Sequence, residues 1–247
     1  MSDSTFFEPH LDILPEEQRI CWSLLNGVSE EGFVLYGGTA LALRLGHRQS
    51  VDFDFFSHLP LNRGRLLARF PFLLESEDLQ NDSNAWTVRF CPKGGRRDVK
   101  LSFFGTIDFG RVGRPDLSTG PSNILVASLD DIMATKLKVL FDRVSAKDYV
   151  DIATMIEKGV SLTKGLASAR ALFGKRFSPQ LALDTLIWFE GMSTEQLPQA
   201  KRRTLLEKVR AVVSSAEVSG TGATTLTAPY LVDNAHFEKL MSYPEKS

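Results

Sequence analysis

The sequence predicts an α+β chain, a mixed β-sheet flanked by helices and followed by a C-terminal helical region. Three observations carry this. Residues 33–56 read as a strand, a glycine turn, a short helix and a second strand. Residues 86–104 read as a hairpin with two glycines in its turn. From Ser128 onward, apolar residues recur at helical spacing. The chain is accordingly divided into an α/β domain at 1–127 and a helical domain at 128–247. A Gly, Ser and Thr-rich stretch at 218–227 reads as a flexible segment.

Each element has a local cause. A first helix starts at Pro15, with Glu16 and Glu17 in its first turn, and stops at Asn26-Gly27. A strand follows at 33–36, then a helix at 39–45 closed by Gly46, with Thr39 as its N-cap, then a strand at 51–56. Asn62 caps a helix that Pro71 ends. Strands at 86–91 and 99–104 flank the turn 92–97. Residues 105–127 hold Gly105, Gly110, Gly113, Pro115, Gly120 and Pro121 and read as an irregular crossing. Ser128-Leu129-Asp130-Asp131 is a capping box ahead of a helix to 141, and Ser145-Ala146-Lys147-Asp148 a second, ahead of a helix to 158. Further helices are expected at 178–190, started by Ser178-Pro179, and at 194–216.

Composition narrows the partners. The chain has 247 residues, 43% of them hydrophobic, enough for a substantial core. Its net charge of −1 gives no global attraction for nucleic acid, so such a contact would be local. Lys93, Arg96 and Arg97 on the hairpin turn form one such patch, although turns normally carry solvated charge. The two cysteines, Cys21 and Cys91, form no metal-ligand spacing and suit a reduced, cytoplasmic protein. The N-terminus lacks the basic region and apolar core of a signal peptide. No apolar run approaches the ~20 residues that span a bilayer, so no membrane partner is expected.

The chemistry concentrates in Gly37-Gly38-Thr39 and Val51-Asp52-Phe53-Asp54-Phe55-Phe56. Strand side chains alternate, so Asp52 and Asp54 share one face while Val51, Phe53 and Phe55 take the other. Paired carboxylates repel and favour a shared divalent cation with oxygen ligands. A solvated edge-strand face is the competing reading, and the apolar neighbours weigh against it. Gly37-Gly38 opens a helix whose free N–H groups and dipole favour a phosphate, or else simply makes a tight strand-to-helix turn. Lys136 falls within the apolar stripe of its helix beside Ile132, Met133, Leu137 and Leu140, where an ammonium needs an acidic or phosphate partner unless its stem snorkels to the rim. Asp148 is either a site acid or merely the last residue of a capping box. Asp151 reads as a solvated acid. His47 and Arg48, ahead of the Asp strand, hold the loop or reach a nucleotide.

The run Gly37-Gly38-Thr39-Ala40-Leu41-Ala42-Leu43, followed by Gly46-His47-Arg48-Gln49-Ser50-Val51-Asp52-Phe53-Asp54-Phe55-Phe56, resembles the AbiEii/AbiGii-type nucleotidyltransferase family, whose members include toxins of toxin–antitoxin systems. Leu129-Asp130-Asp131-Ile132-Met133-Ala134-Thr135-Lys136-Leu137, Arg143 and Lys147-Asp148-Tyr149-Val150-Asp151 resemble its second signature. The resemblance implies a DNA polymerase β-like core and transfer of a nucleoside monophosphate from an NTP to a hydroxyl of RNA, tRNA included, or of protein. It implies Mg²⁺ held by Asp52 and Asp54, a triphosphate contacted by Gly38 and Thr39, and phosphate bound by Lys136; Gly37, from the helix start, and Arg48, from its place before the Asp strand, join them as nucleotide-binding candidates. Asp52, Asp54, Lys136 and Asp148 would be the catalytic set, and an antitoxin protein a partner. One departure stands out. Many such enzymes carry a third carboxylate on a neighbouring strand, whereas Asp98-Val99-Lys100-Leu101-Ser102-Phe103-Phe104 offers Lys100 and Ser102 to the cleft. Asp98 lies about 13 Å up the strand from Ser102. An alternative is therefore a weakened or inactive nucleotide- or partner-binding module of the same fold.

Overall fold

The computed structural model describes residues 5–218. The chain divides into two compact units, Met1–Ile132 and Met133–Ser247. Among the described residues of the first unit, eight strands form one mixed sheet. They are β1 (Phe6–Phe7), β2 (Val34–Tyr36), β3 (Asp52–Phe56), β4 (Glu77–Asn81), β5 (Ala85–Phe90), β6 (Val99–Phe104), β7 (Asp116–Ser118) and β8 (Leu125–Val126), in the order β1-β7-β8-β2-β3-β6-β5-β4. Helices α1 (Glu16–Leu24), α2 (Gly37–Leu45) and α3 (Arg63–Arg69) belong to the same unit.

The centre of the sheet is the hairpin-plus-crossover that positions the acids. β2 pairs antiparallel with β3, placing Tyr36 opposite Asp54. β3 pairs parallel with β6, placing Asp52 opposite Lys100 and Asp54 opposite Ser102. β5 and β6 form the expected antiparallel hairpin. Phe53, Phe55, Leu101 and Phe103 turn to the other face and are fully buried. There Phe55 and Phe103 stack at 5.5 Å, and Trp22 of α1 lies 6.3 Å from Phe53. Burying each such aromatic is worth roughly 1.5–3 kcal/mol, which fixes the register of β3 and hence the side on which its acids emerge.

Several expectations need correction. β7 and β8 fall in the segment read as an irregular crossing, and β1 and β4 were not foreseen. Val51 precedes β3 and is exposed rather than turned into the core. The second helix begins at Gly37, not 39, with Tyr36 as N-cap, so Thr39 lies inside its first turn. Asn62 does cap α3, accepting from the Arg65 N–H at 2.9 Å.

α4 (Leu129–Val139) carries the chain from the first unit into the second. The second unit contains α5 (Ala146–Glu157), α6 (Leu162–Phe173), α7 (Pro179–Leu186) and α8 (Gln199–Val218). α6 was not foreseen, because Gly165 interrupts its propensity. The glycine is required: a Cβ there would lie 2.4 Å from Met133 Cγ, so α6 packs tightly on α4 residues. α7 ends earlier than expected, and α8 starts only after Pro198. Apart from Val218, the segment expected to be flexible lies outside the described residues. Among the described residues, no helix is long and apolar enough to cross a membrane.

Candidate functional site

In the first unit the Asp pair shares one sheet face, as its alternation requires. Asp52 and Asp54 are both partly exposed, while Phe53 between them is fully buried. Lys100, across the parallel register, sets its Nζ 3.0 Å from Asp52 Oδ2. Ser102 stands beside Asp54 on the same face and is buried. Phe56, two residues on, meets Tyr36 at 5.3 Å, Phe104 at 5.0 Å and Phe109 at 6.1 Å, closing that end of the face with rings.

The amino end of α2 meets this face. Gly37 has φ +74°, and a Cβ there would lie 2.7 Å from Asp54 Oδ2. Both facts call for glycine: the left-handed backbone and the close approach of a carboxylate. A Cβ on Gly38 would lie 2.7 Å from Ser50 Oγ and 3.1 Å from Arg48 Nη2, so Arg48 reaches the same turn. Arg48 also donates to the Gln49 carbonyl at 2.9 Å. Thr39 is buried, and its hydroxyl donates to the Asp52 carbonyl oxygen, tying α2 to β3. That hydroxyl is therefore committed to the backbone.

Asp98 is half exposed and stands 4.0 Å from Arg89. Among the described residues, no group of three or more His, Cys, Asp or Glu is placed to hold a metal. The Asp pair still suits Mg²⁺, which typically takes one or two carboxylates and completes its shell with phosphate oxygens and water. The donors are hard oxygens, partly solvated, and faced by a helix end that favours phosphate.

The second signature builds a different arrangement in the second unit. Lys136 is buried on α4, and its Nζ lies 2.7 Å from both Asp148 Oδ1 and Asp151 Oδ2. The two acids are three residues apart on α5, hence on one helix face. Arg143 Nε adds a bond to Asp148 Oδ2 at 3.0 Å. Two buried carboxylates are thus balanced by the buried Lys136 ammonium and by Arg143, whose side chain is largely exposed. Asp148 is not a capping residue: the Ser145 side chain makes no cap bond, and only the Asp148 N–H bonds the Ser145 carbonyl. Asp151, read from sequence as solvated, is fully buried. The Lys136 stripe together with the Asp148/Asp151 spacing could have revealed this cluster.

The first capping box does form. Ser128 Oγ accepts from the Asp131 N–H at 3.1 Å, and the Asp131 carboxylate also takes the Val112 and Gly113 N–H groups. Burial pushes the Tyr36 phenol up to about 12, with Asp131 adding to the effect and Arg111 opposing it. Lys93, Arg96 and Arg97 on the hairpin turn are exposed.

With this geometry in place, the family can be read. Residues 23–219 match the model of the nucleotidyl transferase AbiEii toxins, described as a Type IV toxin–antitoxin system. The chain belongs to that family. A curated relative, an uncharacterized protein of Aquifex aeolicus, is 28% identical over 171 residues, covering 66% of this chain and 76% of the relative. The fold is similar to that of the Helicobacter pylori protein JHP933, with TM-score 0.54 and 18% identity over 83% of this chain and 97% of that one. It is also similar to MenT4, a nucleotidyltransferase toxin of Mycobacterium tuberculosis, with TM-score 0.52 and 15% identity over 92% of this chain and 83% of that one. Both glycine–Asp and Lys–Asp signatures fall inside the family match.

Proposed function

We propose that this family member transfers a nucleoside monophosphate from an NTP to a hydroxyl of RNA or protein. It would act as the toxin of a toxin–antitoxin pair, in the cytoplasm where its substrates are. The observation that carries the reading is the shared face of Asp52 and Asp54 against the glycine start of α2.

The chain's own groups divide the work. The N–H groups of Gly37, Gly38 and Thr39 would cradle the triphosphate, with the Arg48 guanidinium adding charge. Thr39 contributes its backbone and uses its hydroxyl to hold β3. Asp52 and Asp54 would hold Mg²⁺, which when bound would neutralise charge on the attacking and leaving oxygens. Lys136, which by resemblance to the second signature would bind phosphate, is held in place by Asp148 and Asp151. Asp148, expected from the resemblance to be catalytic, would act as a positioning residue through that hold. Ser102 is a poor base at neutral pH, so the reading assigns no proton acceptor to β6. Rate enhancement would come mainly from positioning and electrostatics.

The test incubates the protein with each α-labelled NTP, Mg²⁺ or Mn²⁺, and total RNA plus protein extract. Label in RNA or protein supports the reading; label in neither, with every nucleotide and either metal, refutes it. Expression of the chain should also arrest growth, and the Asp54→Asn variant should relieve the arrest.

A second reading has its own support. β6 brings the face a lysine and a serine instead of an acid. On this view the fold binds a nucleotide or a protein partner without turnover. Calorimetry that finds tight nucleotide binding, combined with no pyrophosphate release in any mixture, would favour it.

A further inference from the structure

We propose that Lys100 is a working residue of the nucleotide site: its ammonium rests on Asp52 in the ligand-free protein and passes to the triphosphate when a divalent cation takes Asp52. The inference rests on the nucleotide-binding part of the reading above, not on turnover.

The placement is set by topology. The parallel pairing of β3 with β6 puts Lys100 directly opposite Asp52, and the Phe53/Leu101 and Phe55/Phe103 pairs, buried on the other face, lock that register. The result is an ion pair of 3.0 Å with side-chain exposures of 41% and 40%. A pair this exposed holds weakly, so a ligand can break it. Lys136 provides the contrast, with two carboxylates on one ammonium and 8% exposure.

The chemistry fits a transfer of partner. A divalent ion competes with Lys100 for the same Asp52 oxygens. A triphosphate arriving with that ion brings excess negative charge to the same face. Lysine is a compact cation on a flexible stem with three rotatable donors, suited to phosphate as a point charge. Lys100 therefore supplies positive charge where β6 lacks an acid. One consequence is that Lys100 opposes metal alone and assists metal with nucleotide.

Two titrations on the full chain test this. The first follows Mn²⁺ alone by electron paramagnetic resonance. The second follows, by calorimetry with Mg²⁺, the α,β-methylene analogues of the common ribonucleoside triphosphates. Lys100→Met should bind Mn²⁺ about fivefold more tightly and the preferred analogue about fivefold more weakly. Lys100→Arg should restore analogue binding, and Lys100→Gln should repeat the Met result in a polar background. Opposed shifts support the proposal. Parallel shifts, or no shift in either titration, overturn it, since a lysine that merely holds the strands has no reason to move the two constants in opposite directions. A wild-type protein that shows the opposed shifts against Lys100→Met but transfers no label would refute turnover and leave this inference standing.

Discussion

Two acid–lysine arrangements, one at each signature, are built in opposite ways. On β3, Asp52 and Asp54 are partly solvated, and the partly exposed Lys100 touches Asp52. On α4 and α5, Lys136, Asp148 and Asp151 are buried and neutralise one another, with Arg143 completing the balance. The first arrangement leaves carboxylate oxygens able to exchange partners. The second holds its charges fixed, and removing one member strands another in a low-dielectric interior. On the proposed reading, the same residue types would serve ligand exchange in one unit and rigidity in the other.

That contrast can be broken most sharply at the Asp pair. Asp52→Asn or Asp54→Asn should lower nucleotide transfer by about 10³-fold while leaving the thermal midpoint nearly unchanged. Unfolding curves and initial rates on the same preparations check this, and a large loss of stability would place the pair in the structural class.

The buried cluster should respond the other way. Lys136→Met or Asp151→Ala should cost about 3–5 kcal/mol of stability, measured by urea unfolding, because each leaves an uncompensated buried charge. A change within error would show that the cluster is not the fixed element described here.

The helix start should lie between these extremes. Gly37→Ala forces a side chain into a left-handed conformation and towards Asp54, costing roughly 1–3 kcal/mol. It should weaken nucleotide binding as well as stability, whereas Gly165→Ala, which meets Met133, should cost stability alone. Calorimetry on both variants separates the two.

The smallest effect concerns pH. Burial pushes the Cys21 thiol up to about 12 from an ordinary 9.0, with Cys91 and then Glu17 adding to it. A raised folded value favours the neutral thiol, so its stabilising effect is complete below pH 9 and is lost as pH rises towards 12. Tyr36 and Tyr149, both pushed up by burial to about 12 from 10.0, contribute only above pH 10. Cys21→Ala should therefore flatten the fall in thermal midpoint between pH 9 and 10. An unchanged slope there would contradict the assignment.

Sequence legibility followed the same physics. β3, β5 and β6 were readable because alternation runs over five or six residues and a glycine turn joins the last two. β1 and β8 have two residues each, too few to show a period, and exist through their partners. β4 reads Glu-Asp-Leu-Gln-Asn and is exposed throughout, an edge strand defined by pairing with β5. The common face of Asp52 and Asp54 followed from spacing alone. The Lys100 contact did not, because it depends on a parallel register between strands far apart in sequence. Asp151 was misread because its partner, Lys136, lies on another helix.

The most direct test of the central claim is pyrophosphate release from each NTP with Mg²⁺ and total RNA plus protein extract, comparing the native chain with Asp54→Asn. The Asp52/Asp54 face predicts release by the native chain with at least one NTP and loss of about 10³-fold in the variant. Equal release by both proteins would contradict it.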